Sequence, residues 1–362
     1  MEQAAASRNT SALTEIHHYS AVEPAPETAL APITIPRVNV ILFFLTFLTT
    51  TIAGAHFAGF GLSIRYPMGS LVGLAIGLMY SIPLMAILFS HEMGHYVTSR
   101  IHRVDATLPF FIPAPSSIFP LGTFGAFIRM KQPARTRGAM FDIGAAGPWA
   151  GVIVAIPCVI IGLYLSDVTP IDKSAGGIEL GNSILFYALA RVILGVDPNS
   201  VNVGLHPIAL AGWLGLFVTT LNLLPVGQLD GGHVIYTLFP RQHRTIGKVF
   251  VAACVLMVVV PYALGWNMWA GWLLWAVLLV GGIGLGHPPT LDSDTPLDPV
   301  RRTAAWATVL LFIVTFSPVP FSFQEPEAPL QQQPSRQEHL LEVIHPTPHY
   351  DGMIDKIHRA HI

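Results

Sequence analysis

Two histidines and a glutamate occur together at the end of an apolar run, in the sequence His91-Glu92-Met93-Gly94-His95. On a helix, positions i and i+4 lie about 40° apart around the axis, so the two imidazoles share one face. At this spacing they can fill two positions of a tetrahedral zinc, and Glu92 is placed to act on a zinc-bound water. The alternative is a pair of structural histidines at a helix end beside a solvated glutamate. Because ionisable groups are costly within a membrane segment and usually mark function there, we predict a metal site.

A second polar signal follows a later apolar run, where the sequence Asn222–Gly232 reads NLLPVGQLDGG. A catalytic zinc takes three protein ligands and keeps one open position for water. Asp230 would supply the third ligand, since Pro225 and the glycines break the helix and let the carboxylate turn back toward the metal. Taken alone, the LDGG stretch is more typical of a polar turn where a chain leaves a membrane. Together with the histidines it predicts a three-ligand site made of His91, His95 and Asp230.

The elements that must position these residues are hydrophobic. Charged residues are 11% of the chain and hydrophobic residues 52%, with a mean hydropathy of +0.56, whereas an average soluble protein has about 25% charged residues. The net charge of −2 gives no indication of nucleic-acid binding. Cys158 and Cys254 lie in apolar runs without metal-ligand spacing, so no disulfide framework is indicated. The composition predicts an all-α polytopic membrane protein.

About seven transmembrane helices are predicted, with six to eight possible, since a bilayer-spanning helix needs about 20 apolar residues. The seven apolar stretches are Val38–Gly59, Met68–Ser90, Ile143–Leu165, Pro207–Leu224, Val249–Leu264, Trp266–Leu285 and Thr303–Phe321. The fifth is short and could form a tight hairpin or a re-entrant unit with the sixth. Basic residues concentrate in the loops after the second, fourth and sixth stretches. This alternation predicts that the N-terminus and the metal site face the cytoplasm.

The chain divides into three predicted regions. Residues 1–36 form a polar, Pro-rich tail that is predicted to be disordered, and residues 325–362 form a flexible polar tail. Residues 37–324 form the transmembrane domain, with its core at about 68–232. The loop 166–206 is too short for an inserted globular module, since domains rarely fall below about 50 residues.

Three further segments could support the site. The Pro- and Gly-containing stretch Leu108–Lys131 predicts a hairpin or re-entrant loop, which could hold an extended substrate or only pack on lipid headgroups. Gly144, Gly147 and Gly151 leave one helix face bare, so another helix can approach closely. Asp142 is predicted to cap the start of that helix. His287 is interpreted as a loop residue, with a supporting contact to the metal site as the alternative.

Three motifs together resemble those of the site-2 protease family of intramembrane zinc metalloproteases. They are the histidine motif at the end of a membrane segment, the sequence Asn222-Leu-Leu-Pro225 and the sequence Leu229-Asp230-Gly231. The glycine-rich run also resembles the start of that family's middle core helix, and the resemblance covers roughly Met68–Gly232. It implies a core of three membrane helices with the site at the cytoplasmic side.

Carried over to this chain, the resemblance implies one Zn²⁺ per chain, bound by His91, His95 and Asp230. Glu92 would be the catalytic acid and base, and Asn222 would hold the substrate or its oxyanion. The implied reaction is hydrolysis of peptide bonds in or near a transmembrane helix of a membrane-protein substrate.

Two other functions remain compatible with the sequence. A zinc-binding membrane scaffold or transporter is one, although transporters often show duplicated broken helices that are absent from this sequence. A catalytically inactive relative of the proteases is the other, and the presence of Glu92 argues against it. The compact architecture predicts a multi-pass protein of a prokaryotic inner membrane. The sequence gives no prediction of oligomeric state.

Overall fold

A computed structural model describes residues 32, 34–61, 63, 65–171, 177–266, 269–288, 290, 292 and 295–324. The predicted C-terminal tail lies outside the described residues, and the predicted N-terminal tail contributes only residues 32 and 34–36. The chain divides into two compact units. The site and the helices that build it lie in the first, which comprises residues 1–171 and 180–322. The second comprises 172–179 and 323–362, of which the short strand residues 177–179 and 323–324 are described.

The described part of the chain is mainly helical, as the sequence predicts. Its α-helices are α1 (Arg37–Phe57), α2 (Pro67–Ile101), α3 (Arg137–Tyr164), α4 (Ile184–Leu194), α5 (Pro207–Asn222), α6 (Asp230–Leu238), α7 (His243–Ala263), α8 (Gly271–Leu278) and α9 (Pro299–Thr315). A π-helical turn, Leu279–Ile283, continues α8, and Pro198–Ser200 form a 3₁₀ turn.

Four of these helices, α1, α2, α3 and α7, are long and apolar enough to cross a membrane. Each of the seven predicted stretches contains a helix, but α5, α8 and α9 are shorter than the length that a full crossing needs. A count of seven spans is therefore not confirmed. Helix α2 is 35 residues long and continues 11 residues beyond the predicted end at Ser90. The histidine motif consequently lies inside a helix rather than at its last turn.

The core lies between α2, α3 and α5. Tyr80 and Leu84 of α2, Val159 of α3 and Leu214 of α5 are almost completely buried within it. The opposite faces of the long helices expose large apolar side chains, such as Ile153, which is 67% exposed. Such faces suit a lipid environment, because exposed apolar area on this scale is unfavourable in water.

The predicted hairpin is present. Strand β1 (Phe110–Pro113) pairs antiparallel with β2 (Thr123–Phe127), and the hairpin lies along α1. At its base the Asn39 amide donates to the Leu108 and Pro109 carbonyl oxygens (3.0 and 2.8 Å). At its tip the Ser116 hydroxyl lies 3.0 Å from the His56 ring. Since these two α1 residues are 17 positions apart, the hairpin follows α1 for about 26 Å.

The other strands form two short ribbons. Strand β3 (Asp167–Thr169) pairs antiparallel with β5 (Asn202–Gly204), and β4 (Gly177–Leu180) pairs with β6 (Phe321–Gln324). Helix α4 lies within the segment 166–206 and buries Phe186 and Ala190 in the core.

The prediction that Asp142 caps its helix is wrong. Helix α3 begins at Arg137, and the Thr136 hydroxyl accepts the capping hydrogen bond from the Ala139 amide (3.1 Å). Asp142 instead receives the Arg301 guanidinium on both carboxylate oxygens (2.7–3.0 Å) and lies 2.8 Å from the His102 ring. This cluster joins the end of α2 to the starts of α3 and α9.

Candidate metal centre

The two predicted histidine ligands lie on one face of α2, as their spacing requires. Their Nε2 atoms are 3.2 Å apart, and the residues are only 3% (His91) and 7% (His95) exposed. The Nδ1–H of His95 donates to the Ile143 carbonyl oxygen at 2.7 Å. This bond fixes the tautomer, so the Nε2 lone pair of His95 faces the centre.

Asp230 reaches the same point from the other side of the core. Helix α5 ends at Asn222, a turn with Gly227 at φ +58° reverses the chain, and Asp230 is the first residue of α6. A Cβ atom at position 231 would lie 1.9 Å from the Leu223 carbonyl oxygen, so this return of the chain requires glycine there. One Asp230 oxygen, Oδ2, lies 3.2 Å from the Nε2 atoms of both histidines.

The three donor atoms fit a metal ion. Each lies 3.2 Å from the other two, and they form the one cluster of this kind among the described residues. In a tetrahedral zinc site with bonds of 2.0–2.1 Å, ligand atoms are separated by about 3.3 Å. Two neutral imidazoles and one carboxylate are also a donor set that zinc prefers.

Glu92 and Asn222 border this cluster. Glu92 is 5% exposed, and its carboxylate accepts a hydrogen bond from the backbone N–H of Ile128, the residue that follows β2. The Asn222 amide nitrogen lies 3.1 Å from the Nε2 atom of His91. The structure therefore brings all five sequence-predicted site residues together.

The three glycines of α3 form the wall on which the histidines pack. A Cβ atom at Gly151 would lie 3.2 Å from His91 Nδ1, and one at Gly147 would lie 2.0 Å from His95 Nε2. The bare face predicted from the glycine spacing does permit close approach. Much of the space left by the missing side chains is filled by imidazoles.

A third imidazole on this wall was not predicted from the sequence. His233 packs its Cβ on Gly144, and its Nδ1 lies 2.6 Å from the Nε2 of His287. The available signal was position: His233 is three residues after Asp230, so both lie on the same side of α6. Burial lowers the pKa of His233 to about 3 and that of His287 to about 4, so both rings are neutral near pH 7. His287 lies in a loop, as interpreted from the sequence, and its contact with His233 brings it next to the site, while a supporting role for it stays a prediction.

Apolar helices of membrane-spanning length, a buried centre of two histidines and an aspartate, and a glutamate beside that centre are features of a membrane-embedded metallohydrolase. The model of Peptidase family M50 matches residues 79–265, which is more than half of the chain. The chain belongs to this family, as the resemblance to site-2 proteases predicted.

Several relatives are named zinc metalloproteases. The chain is 29% identical to the probable zinc metalloprotease EGY1, chloroplastic, of Arabidopsis thaliana, over 71% of this chain and 45% of that protein. It is 31% identical to the protein of the same name from Oryza sativa subsp. japonica, over 65% of this chain and 39% of the relative. The matched segment thus spans less than half of each relative. No solved structure matches the chain. Zinc is the metal that the family and these relatives imply.

Proposed function

We propose that this protein is a zinc-dependent intramembrane endopeptidase, with His91, His95 and Asp230 as the metal ligands. The observation that carries the proposal is the convergence of three donor atoms from α2 and α6, 3.2 Å apart, beside the buried carboxylate of Glu92. Membership of a peptidase family and the names of the relatives support the same activity.

The residues around the centre have distinct roles in peptide hydrolysis. A bound zinc ion would acidify a water molecule and polarise the scissile carbonyl. The carboxylate of Glu92 accepts the proton of the attacking water and delivers it to the nitrogen of the leaving amine. The side-chain amide of Asn222 donates to the developing oxyanion or holds the substrate backbone beside it. The bond from His95 to Ile143 keeps the imidazole oriented.

The β1–β2 hairpin is a suitable support for the substrate. A helical substrate hides its carbonyl groups in hydrogen bonds and must be extended before cleavage. The hairpin ends beside the site, because the N–H of Ile128 donates to the Glu92 carboxylate. An unwound peptide could add along β2 by main-chain hydrogen bonds and so present a peptide bond to Glu92.

We further propose that the protein is a multi-pass integral membrane protein with about seven crossings. The shorter helices α5, α8 and α9 would complete their crossings with the turns that flank them. The excess of basic residues in the loops after the second, fourth and sixth apolar stretches supports an orientation with the centre on the same side as the N-terminus. The relatives are chloroplast proteins by name, which does not favour the prokaryotic membrane predicted from the sequence. The substrate class is membrane proteins with a transmembrane helix.

The experiment is cleavage of a reconstituted single-helix substrate by the full chain in liposomes, followed by mass spectrometry of the products. Glu92→Gln should retain zinc and lose cleavage, whereas the control Asp167→Asn, which also neutralises a carboxylate but at an exposed position, should behave as wild type. If Glu92→Gln cleaves as fast as wild type, Glu92 is not the base. If wild-type protein binds zinc without cleaving any membrane substrate, an inactive relative or a zinc-binding scaffold or transporter is the better explanation.

A further inference from the structure

We propose that His233, held by His287, is a positioning residue that fixes Asp230 as the third metal ligand. The proposal rests on the proposed metal centre. It assigns a role to an imidazole pair that lies outside the ligand set and outside the groups that act on the peptide.

His233 and His287 hold in place α6, the short helix that carries Asp230. Helix α6 has nine residues, and Asp230 is its first. The backbone N–H of His233 closes the first turn by donating to the Leu229 carbonyl oxygen at 2.9 Å. A helix this short has little stability of its own, because helix formation is cooperative. Its place, and with it the place of the Asp230 carboxylate, must come from tertiary contacts of its side chains.

The hydrogen bonds of the pair have a defined direction. The Nδ1 of His287 lies 2.6 Å from the Pro288 carbonyl oxygen, which can only accept, so this nitrogen carries a proton. In a neutral ring the Nε2 of His287 is then the acceptor, and the Nδ1–H of His233 donates to it at 2.6 Å. The loop therefore orients the His233 ring through an uninterrupted chain of donors and acceptors.

His287 is itself well placed to act as an anchor. Its ring stacks on the ring of Tyr236, which lies on α6 like His233, with ring centroids 4.2 Å apart and an interplanar angle of 11°. The His233 ring and the stacked Tyr236 ring thus attach two successive turns of α6 to a single loop residue. On its other side His233 packs on Gly144 of α3, one helical turn from the glycine that receives His95.

The loop that carries His287, residues 284–287, also contacts the turn that precedes Asp230. A Cβ atom at Gly227 would lie 2.2 Å from the Gly284 carbonyl oxygen, so these backbone segments are in direct contact. The π-helical turn Leu279–Ile283 and Gly284, at φ +81°, end α8 and redirect the chain toward α6. The 284–287 segment therefore holds Asp230 from both sides, at Gly227 before it and at His233 after it.

The test measures zinc affinity by competition with a chromogenic chelator, on the purified full chain in detergent, together with kcat and KM for a transmembrane substrate. His287→Ala should weaken zinc binding about 10–100-fold, the usual effect of losing a group that orients a ligand. It should lower kcat with little change in KM, since the substrate contacts remain. His287→Gln should recover most of the affinity, because its side-chain oxygen can accept the bond from His233.

Two further variants make the result decisive. Gly144→Ala should give the same phenotype as His287→Ala, since the new methyl group would lie 2.8 Å from the Cβ of His233. Tyr262→Ala, at an exposed aromatic residue of α7 that lies outside the site and the hairpin, should leave affinity and kcat at the wild-type values. The proposal is overturned if His287→Ala binds zinc as tightly as wild type, or if His287→Gln is as impaired as His287→Ala. Because zinc affinity is read separately from cleavage, failure here is distinguishable from failure of the proposed protease activity.

Discussion

Replacement of Gly147 by alanine should remove zinc binding and cleavage through one methyl group. The added Cβ would lie 2.0 Å from His95 Nε2, 2.4 Å from its Cδ2 and 2.5 Å from its Cε1. An ordinary contact between such atoms is about 3.5–4.0 Å, so the imidazole must retreat by more than about 1 Å. It cannot do so easily, because its Nδ1–H donates a hydrogen bond to the carbonyl oxygen of Ile143. Ile143 lies on α3, the helix that also carries Gly147.

The expected loss is large because metal ligands tolerate little displacement. A misplacement of about 1 Å in a catalytic group can reduce the rate about 10²-fold, and a displaced ligand weakens metal binding as well. We therefore expect Gly147→Ala to lose at least about 10²-fold in kcat/KM. Zinc content after gel filtration should fall well below that of wild type.

The assay needs a control for the cost of alanine in α3. Gly138→Ala provides it, because the nearest atom to the new Cβ would be in the Arg301 side chain at 3.4 Å. Gly138→Ala should keep zinc and activity. If Gly147→Ala binds one zinc and cleaves at the wild-type rate, His95 does not occupy the position described above.

Three further changes have defined outcomes. Asn222→Ala should retain zinc but lower kcat about 10²–10³-fold, as for a lost oxyanion donor; an unchanged kcat would remove Asn222 from the site. Asp142→Asn should destabilise the protein by about 1–2 kcal/mol, since it weakens a partly exposed charged pair with Arg301, and a thermal scan that matches wild type would contradict this. Asn39→Ala should raise KM more than it lowers kcat, because the base of the hairpin loses two hydrogen bonds; equal KM values would separate the hairpin from substrate binding.

The parts of the site that the sequence predicts well are local ones. The spacing of His91 and His95 requires only that the segment be helical, and the apolar run provides for that. The hairpin follows from prolines and glycines that exclude a helix. The sequence predicts that Asp230 lies near the histidines only if the chain turns back after α5. The geometry of that turn is set by the packing of Gly231 on the preceding backbone.

Contacts that depend on distant elements could not be predicted in the same way. His287 lies 54 residues after His233, and its position depends on the π-helical turn Leu279–Ile283 that precedes it. The role of Asp142 depends on Arg301, which is 159 residues away. Hydropathy marks apolar stretches without fixing where a helix ends, so the number of full membrane crossings does not follow from it. Helix α5, for example, ends at Asn222, shortly before Pro225, which lacks the N–H that a continued helix would need.

We propose above all that two imidazoles of α2 and the carboxylate of Asp230, the first residue of α6, hold one zinc ion. X-ray absorption at the zinc edge, measured on the purified full chain and on Asp230→Ala, tests it most directly. We expect one zinc per chain in wild type, with two imidazole ligands and oxygen or nitrogen neighbours at about 2.0–2.1 Å, and a loss of most of the zinc in Asp230→Ala. A wild-type spectrum without imidazole scattering, or an unchanged zinc content and spectrum in Asp230→Ala, would contradict the account.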